Sequence, residues 1–325
     1  MPREDVFKAS VQFFLEPIRH LLDDESISEI MVNAHSRVFV EQDGEIREVP
    51  GVAIGERSLQ VAVRNIARAL GDEIGEEKPL LDSRLPDGSR VAAAFPPCSV
   101  GGTTLTIRKF RSRFYTAAEL VRAGTLTGRL CGILRRAVEG KRNILISGGT
   151  GTGKTTLLNA LSEFIPDRER LILIEDTSEI RIAKPDLVRF EARRAQQGLP
   201  AVSIRDLLRA ALRHRPDRIL VGEVRGGEAF DLLQALNTGH SGMLSTIHAN
   251  SASQALNRLA GCVLQSGVDL PYQAVRTGIA DSIHLLLHVE RDGSRRVVTE
   301  LVAVRGQEPE TGRYRTETLY GRRDE

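Results

Sequence analysis

The chain has 325 residues, 41% of them hydrophobic and 27% charged, with a net charge of only +2. That length accommodates two ordinary domains, the composition is that of a globular protein, and the near balance of charge excludes a strong nonspecific polyanion binder. No apolar run reaches the length of a membrane span. Met1-Pro2-Arg3-Glu4-Asp5 leads into an amphipathic stretch rather than the apolar core of a signal peptide, so a cytoplasmic location is expected. Cys98, Cys131 and Cys262 stand far apart with no C-x-x-C pair, which argues against a disulfide framework or a cysteine zinc site.

In chain order, Phe7, Val11, Phe14, Ile18 and Leu21 recur at spacings of three and four and predict a helix over 3–23, with Pro17 a candidate kink. Strands are predicted over 27–32, 37–41 and 45–49, with Asp43-Gly44 as a hairpin turn. A helix over 56–70 ends at Gly71, and strands over 80–85, 90–95 and 103–109 alternate with turns such as Pro86-Asp87-Gly88. Residues 1–109 thus read as a small α+β domain, and the polar, basic stretch 110–116 as an interdomain linker. Over 117–325 the pattern changes. Apolar runs of buried-strand length (143–147, 171–175, 218–221) alternate with helical stretches (154–164, 203–212, 228–236), which implies a mostly parallel sheet covered by helices. A helix after Pro271 and a strand pair over 282–290 and 295–304 close this domain, and the tail from Gly306 is expected to be loosely held.

The strongest chemical signal is Gly148-Gly149-Thr150-Gly151-Thr152-Gly153-Lys154-Thr155, a complete G-x-x-x-x-G-K-[ST] string between a predicted strand and a helix that continues through Thr156. Backbone N–H groups of such a loop turn inward around phosphate oxygens. Lys154 is placed to reach the β- and γ-phosphates and Thr155 to put its hydroxyl on Mg²⁺. A second apolar strand ends in Glu223, 69 positions after Lys154, with Gly222 where an Asp is usual. It is expected to run beside the phosphate-loop strand, with Glu223 polarising the attacking water. A third strand delivers Glu175, Asp176 and Glu179 to the sheet edge, as candidates for orienting water or Mg²⁺ that the residues alone do not rank. ATP is favoured over GTP, because the nearest approach to Asn-Lys-x-Asp, Ala183-Lys184-Pro185-Asp186, lacks the Asn.

At these residues the chain resembles the bacterial secretion ATPases of type II and type IV secretion, type IV pili, conjugation and tight-adherence pili. The family's Walker A, Asp box, Walker B and His box resemble residues 148–155, 174–180, 215–225 and 238–250, in that order. The resemblance implies a RecA-like P-loop ATPase domain preceded by a smaller α+β (PAS-like) amino-terminal domain. It implies Mg²⁺-dependent ATP hydrolysis by a homohexameric ring at the inner face of the cytoplasmic membrane, docked on inner-membrane secretion or pilus platform proteins and without direct nucleic-acid contact. It assigns the working carboxylate to Glu223, and it gives His240 and His248, with His248 ranked first, the task of sensing the γ-phosphate or coupling it to the next subunit. It makes Arg84, Arg90 and Arg108, on stretches that resemble the family's amino-terminal domain, candidates to reach the nucleotide, and Arg225 is a further candidate. The absence of a tetracysteine module points to the conjugation or tight-adherence branch. The rival readings are a ring-shaped nucleic-acid translocase and a non-enzymatic nucleotide-gated subunit. The absence of tryptophan and the scarcity of aromatics for base stacking count against the first, and intact Lys154, Thr155 and Glu223 against the second.

Overall fold

The structure is a computed structural model that describes residues 13, 15–34, 37–42, 44–85, 87–109, 115–193, 195, 199–293, 295–308 and 310–322. The chain divides into two compact units, residues 1–113 and 114–325. Phe7, Val11, Phe14, Asp43, Pro86 and residues 110–114 of the expected linker lie outside the described residues.

The first unit is built on a six-stranded antiparallel sheet: β1 (Ile27–Asn33), β2 (Arg37–Gln42), β3 (Glu45–Glu48), β4 (Leu80–Arg84), β5 (Arg90–Ala94) and β6 (Thr104–Arg108), in the order β3-β2-β1-β6-β5-β4. Of the helix predicted over 3–23, the described part is a 3₁₀ turn at Glu16–Ile18 followed by α1 (Arg19–Asp23). Pro17 lies in the first turn of that 3₁₀ segment, where its missing N–H costs nothing. Alternate residues of the strands (Ile30, Val32, Val38, Val40, Val91, Leu105, Ile107) are buried against α2 (Glu56–Ala69). That helix contributes Leu59, Ala62, Val63 and Ile66 at spacings of three, one and three. It stops at Gly71, whose φ of +74° suits a residue without a side chain.

The second unit is an eight-stranded sheet, β7 (Ile144–Gly148), β8 (Leu171–Glu175), β9 (Leu187–Glu191), β10 (Arg218–Val224), β11 (Leu244–His248), β12 (Leu285–Asp292), β13 (Arg295–Gln307) and β14 (Tyr314–Gly321), in the order β14-β13-β12-β7-β11-β10-β8-β9. The six strands from β12 to β9 pair in parallel, and β13 and β14 add an antiparallel edge. Helices α3 (Ala117–Arg122), α4 (Gly128–Glu139) and α5 (Lys154–Ser162) cover one face; α6 (Ile204–Ala211), α7 (Glu228–Asn237), α8 (Ala252–Leu264) and α9 (Tyr272–Ser282) cover the other. Successive strand residues point to opposite faces. Ile144, Ile146, Leu171, Leu173 and Leu220 meet the first helix layer, while Leu145, Ile172, Ile174, Ile219 and Val221 meet the second. Burial on both faces is why these runs read as continuously apolar. No helix among the described residues is long and apolar enough to cross a membrane.

Two expectations are corrected. The strand ending in Glu223 does not run beside the phosphate-loop strand, because β11 lies between β7 and β10 and pairs in parallel with both. Its run Leu244-Ser245-Thr246-Ile247 carries two buried hydroxyls and is less apolar than its neighbours. Thr246 Oγ1 donates to Gly222 O at 2.8 Å, so the polar group is satisfied inside the sheet. The tail from Gly306 is not loose: β14 pairs antiparallel with β13 and buries Tyr320. The helices α3 and α4 were missed although both start on caps. Thr116 and Glu119 form a reciprocal capping box, and Thr127 accepts from Leu130 N at 3.2 Å.

The sheet also holds a pH-sensitive joint. Buried Asn143 accepts from Gly242 N (2.7 Å) and Met243 N (3.0 Å), donates from its amide to Ser282 O (2.6 Å), and donates its backbone N–H to His284 Nδ1 (2.9 Å). Nδ1 must therefore be unprotonated. Burial, with Arg142 adding to it, holds this imidazole below the usual histidine value of 6.5. The unfolded chain then binds more protons than the fold below pH 6.5, so this contribution to stability is present above that pH and is lost as pH falls. Melting temperature is expected to fall between pH 7.5 and 5.5. The contribution from this group is at most about 1.4 kcal/mol per pH unit, and His284→Asn is expected to flatten the dependence. An unchanged slope in that variant refutes the assignment.

Candidate active site

The carboxyl ends of the parallel strands share one edge, and the sequence motifs meet there. β7 ends at Gly148, the loop turns through Gly151 (φ +71°) and Gly153 (φ +92°), and α5 starts at Lys154. Those dihedrals suit glycine, and they let the loop present N–H groups at a helix N-terminus. Gly149, Thr150 and Gly151 are exposed, and Thr155 and Thr156 are half-buried in the first turn of α5. Lys154 is 8% exposed, and its ammonium donates to Gly148 O (3.0 Å) and Gly149 O (2.6 Å). Thr152 Oγ1 donates to Gly149 O at 3.0 Å.

β11 ends on His248, in register with Gly148, so its imidazole stands at the mouth of the loop. Glu223, near the end of β10, accepts on Oε2 from Arg225 Nε (2.8 Å) and Nη2 (2.6 Å). Its Oε1 is buried, lies 2.9 Å from His248 Nε2 and yet has no hydrogen-bond partner. Burial first, then Lys154, Arg225 and Arg258, hold the His248 imidazole below the usual range against the pull of the Glu223 carboxylate. His248 is thus kept neutral, with a ring nitrogen beside the carboxylate. Arg225 is spent on Glu223 and also faces Asp176 at 3.7 Å, which makes it a holder of the acids rather than a free cation.

The three acids after β8 are no longer equivalent. Glu175 is 3% exposed; its Oε1 accepts from Glu179 N and Ile180 N, both at 2.7 Å, and its Oε2 faces Arg189 at 3.4 Å. Burial pushes its carboxyl up, while the two amides and Arg189 pull it down. Such a group braces the turn and is poorly placed to take Mg²⁺. Gly222 lies beside it: a Cβ there would stand 3.2 Å from Glu175 Cγ, so a larger residue requires the glutamate to give way slightly. Asp176 is half-exposed beside Arg225, and Glu179 is partly exposed.

His240 lies apart from the phosphate loop of its own chain. It sits before β11, at the opposite end of that strand from His248, with Nδ1 3.3 Å from Ala235 O and 3.4 Å from Thr238 Oγ1 at the end of α7. The separation is roughly the length of a five-residue strand, about 15 Å. Within one chain, then, only His248 joins the phosphate loop. In the first unit, Arg84, Arg90 and Arg108 stand directly opposite one another across β4, β5 and β6, with Glu29 of β1 beside Arg108. Cross-strand partners share a face, and like charges so placed cost stability. The row is a feature of the register that the linear motifs did not reveal.

Sequence reasoning missed Gln254 and Arg258 here. An open cavity of about 250 Å³ beside the loop is lined by Gly149, His248, Ala249, Asn250, Gln254 and Arg258. Arg258 is exposed and, among the described residues, makes no ion pair or hydrogen bond. The signal was an amphipathic helix following the His box, with Asn250, Gln254 and Arg258 spaced four apart. Among the described residues no group of three or more His, Cys, Asp or Glu is placed to hold a metal. A divalent ion here would need a hydroxyl, a carboxylate and phosphate oxygens together, as Mg²⁺ accepts. The buried, unpartnered Oε1 of Glu223 and the buried ammonium of Lys154 fit such a magnesium nucleotide.

Residues 13–303 match the family model described as type II/IV secretion system protein. The chain belongs to that family. It is 37% identical over 289 residues to the conjugal transfer protein TrbB of Rhizobium radiobacter, covering 88% of this chain and 86% of that protein. It is 39% identical over 324 residues to the type IV secretion system protein PtlH of Bordetella pertussis, covering 90% and 95%. Among solved structures, the Legionella pneumophila ATPase DotB superposes with a TM-score of 0.63 at 20% identity, covering 90% of this chain and 80% of that one, a likeness of fold.

Proposed function

We propose that this protein is a Mg²⁺-dependent ATPase that works as one subunit of a homohexameric motor for type II/IV-type secretion, conjugation or pilus assembly. The observation that carries the reading is Glu223. One oxygen is locked by Arg225, and the other is buried, unpartnered and beside neutral His248, at the sheet edge that holds the phosphate loop. A carboxylate so held is oriented without being neutralised, which suits polarising a water aimed at the γ-phosphate. Lys154 and the loop amides hold the β- and γ-phosphates. Thr155 and Asp176 are the groups we assign to Mg²⁺, which when bound would neutralise phosphate charge. His248 reports the occupancy of the γ-phosphate position, and Arg258 adds a cation on the same side. The arginine row Arg84, Arg90 and Arg108 is assigned to the transferring phosphoryl group, as the resemblance implies.

We further read residues 1–109 as a PAS-like domain, 110–116 as a linker and 117–325 as a RecA-like domain. The motor is placed at the inner face of the cytoplasmic membrane, against platform proteins of the secretion or pilus machine, with no direct nucleic-acid contact. The test is ATP turnover per subunit over a wide range of protein concentration with Mg²⁺, sized in parallel. Specific activity is expected to rise steeply as a hexamer appears. Equal turnover by the monomer removes the ring mechanism and leaves the ATPase; no turnover at any concentration removes both.

A further inference from the structure

The phosphate loop is met at its entry, at Gly151 and at its exit by the hairpin of β12 and β13, which no motif of the sequence marks. At the entry, Ser147 Oγ and His288 Nδ1 lie 2.8 Å apart, in strands that pair residue for residue, and both side chains are sealed from solvent. His288 Nε2 faces Glu290 Oε1 at 3.2 Å. Burial holds this imidazole below the usual range, Glu290 and Glu300 pull it up, and Lys154 on α5 opposes them, so it is neutral and able to share a hydrogen bond with the serine. One residue on, the Val289 carbonyl is so close that a Cβ at Gly148 would lie 2.4 Å from it. At the apex, Arg296 of β13 donates from Nε to Gly151 O at 3.0 Å. At the exit, the Cδ of the same arginine would be 3.2 Å from a Cβ at Gly153.

A loop that turns its N–H groups inward must turn carbonyls outward, and each outward carbonyl needs a donor or water. Arg296 is that donor at Gly151, an exposed glycine of the loop. We propose that the β12–β13 hairpin forms the outer wall of the nucleotide site. In this arrangement Arg296 and His288 are positioning residues that hold the phosphate loop in its nucleotide-accepting shape, Arg296 through the Gly151 carbonyl and His288 through Ser147. Neither touches the reacting phosphate. Their loss lowers the population of the competent loop, and apparent affinity falls by that fraction while the bound complex reacts as before.

The inference rests on the proposed nucleotide site, and the experiment separates the two. Full-length Arg296→Ala, Arg296→Lys, His288→Ala and His288→Asn are compared with the parent protein for ADP affinity by calorimetry, for KM and kcat with ATP, and for melting temperature. Arg296→Ala is expected to weaken ADP binding and raise the ATP KM by about tenfold, with kcat within about twofold and melting unchanged. Arg296→Lys, which keeps a donor, recovers part of the loss. His288→Asn, whose amide replaces Nδ1, is expected to bind ADP more tightly than His288→Ala at matched temperature below melting. Unchanged ADP affinity and KM in Arg296→Ala overturn the inference while leaving the ATPase reading intact. A parent protein that binds neither ADP nor ATP overturns both.

Discussion

Glu223→Gln is expected to lower ATP turnover by about a hundredfold to ten-thousandfold while leaving ADP and ATP binding within a few-fold of the parent. The substitution keeps size and shape and removes the charge that polarises water. A loss of that size corresponds to about 3–5 kcal/mol of transition-state stabilisation. Structural damage should be small. Glu223 meets Arg225, whose side chain is 55% exposed and stays hydrated when its partner is neutralised. The other oxygen lies 2.9 Å from His248 Nε2, a neighbour that a glutamine side chain of the same shape retains. The measurement is steady-state turnover beside a nucleotide titration. Unchanged turnover sinks the assignment of Glu223 as the working acid, and loss of binding together with turnover makes it a structural residue instead.

Arg218→Ala is expected to be the most damaging single change to stability. Arg218 opens β10, the strand that carries Glu223, and is fully buried. Its guanidinium pairs with Glu169 and donates from Nη1 to Val138 O at 2.8 Å. Gly242 makes room for it, since a Cβ there would stand 2.7 Å from the guanidinium. Among the described residues, removing the arginine leaves the buried Glu169 carboxylate with Lys141, at 3.9 Å. Breaking a buried pair in this way costs about 3–5 kcal/mol, out of a total of roughly 5–15 kcal/mol for a domain. The melting temperature is expected to fall by about 6–20 °C. The double variant Arg218→Met with Glu169→Leu should recover more than half of the loss, because both charges then leave the interior together. A single variant that melts within about 2 °C of the parent shows that the pair carries no such weight.

Several features were legible in the chain itself because they are local. The phosphate loop is a contiguous string whose glycines are required by its own dihedrals, and the strand before it and the helix after it announce themselves by apolar runs. Glu223 was legible for the same reason, as an acid near the end of a doubly buried strand. Gly71 ended its helix where a left-handed residue was needed, and the alternation of strands and helices was enough to imply a mainly parallel sheet.

What the tertiary structure decided are the relations between distant segments. The insertion of β11 between β7 and β10 is a matter of sheet order, and the length of that strand separates His248 from His240. Glu175 was distinguished from Asp176 and Glu179 by the backbone amides that fold around it. The alignment of Arg84, Arg90 and Arg108 follows from strand register, and the contacts of His288 and Arg296 with the loop join residues 141 and 145 positions apart. Periodicity and propensity describe what a residue does within its own turn or strand. Register, burial of a charge and the choice of sheet neighbour are settled by packing across the whole unit, and there the string of residues alone was silent.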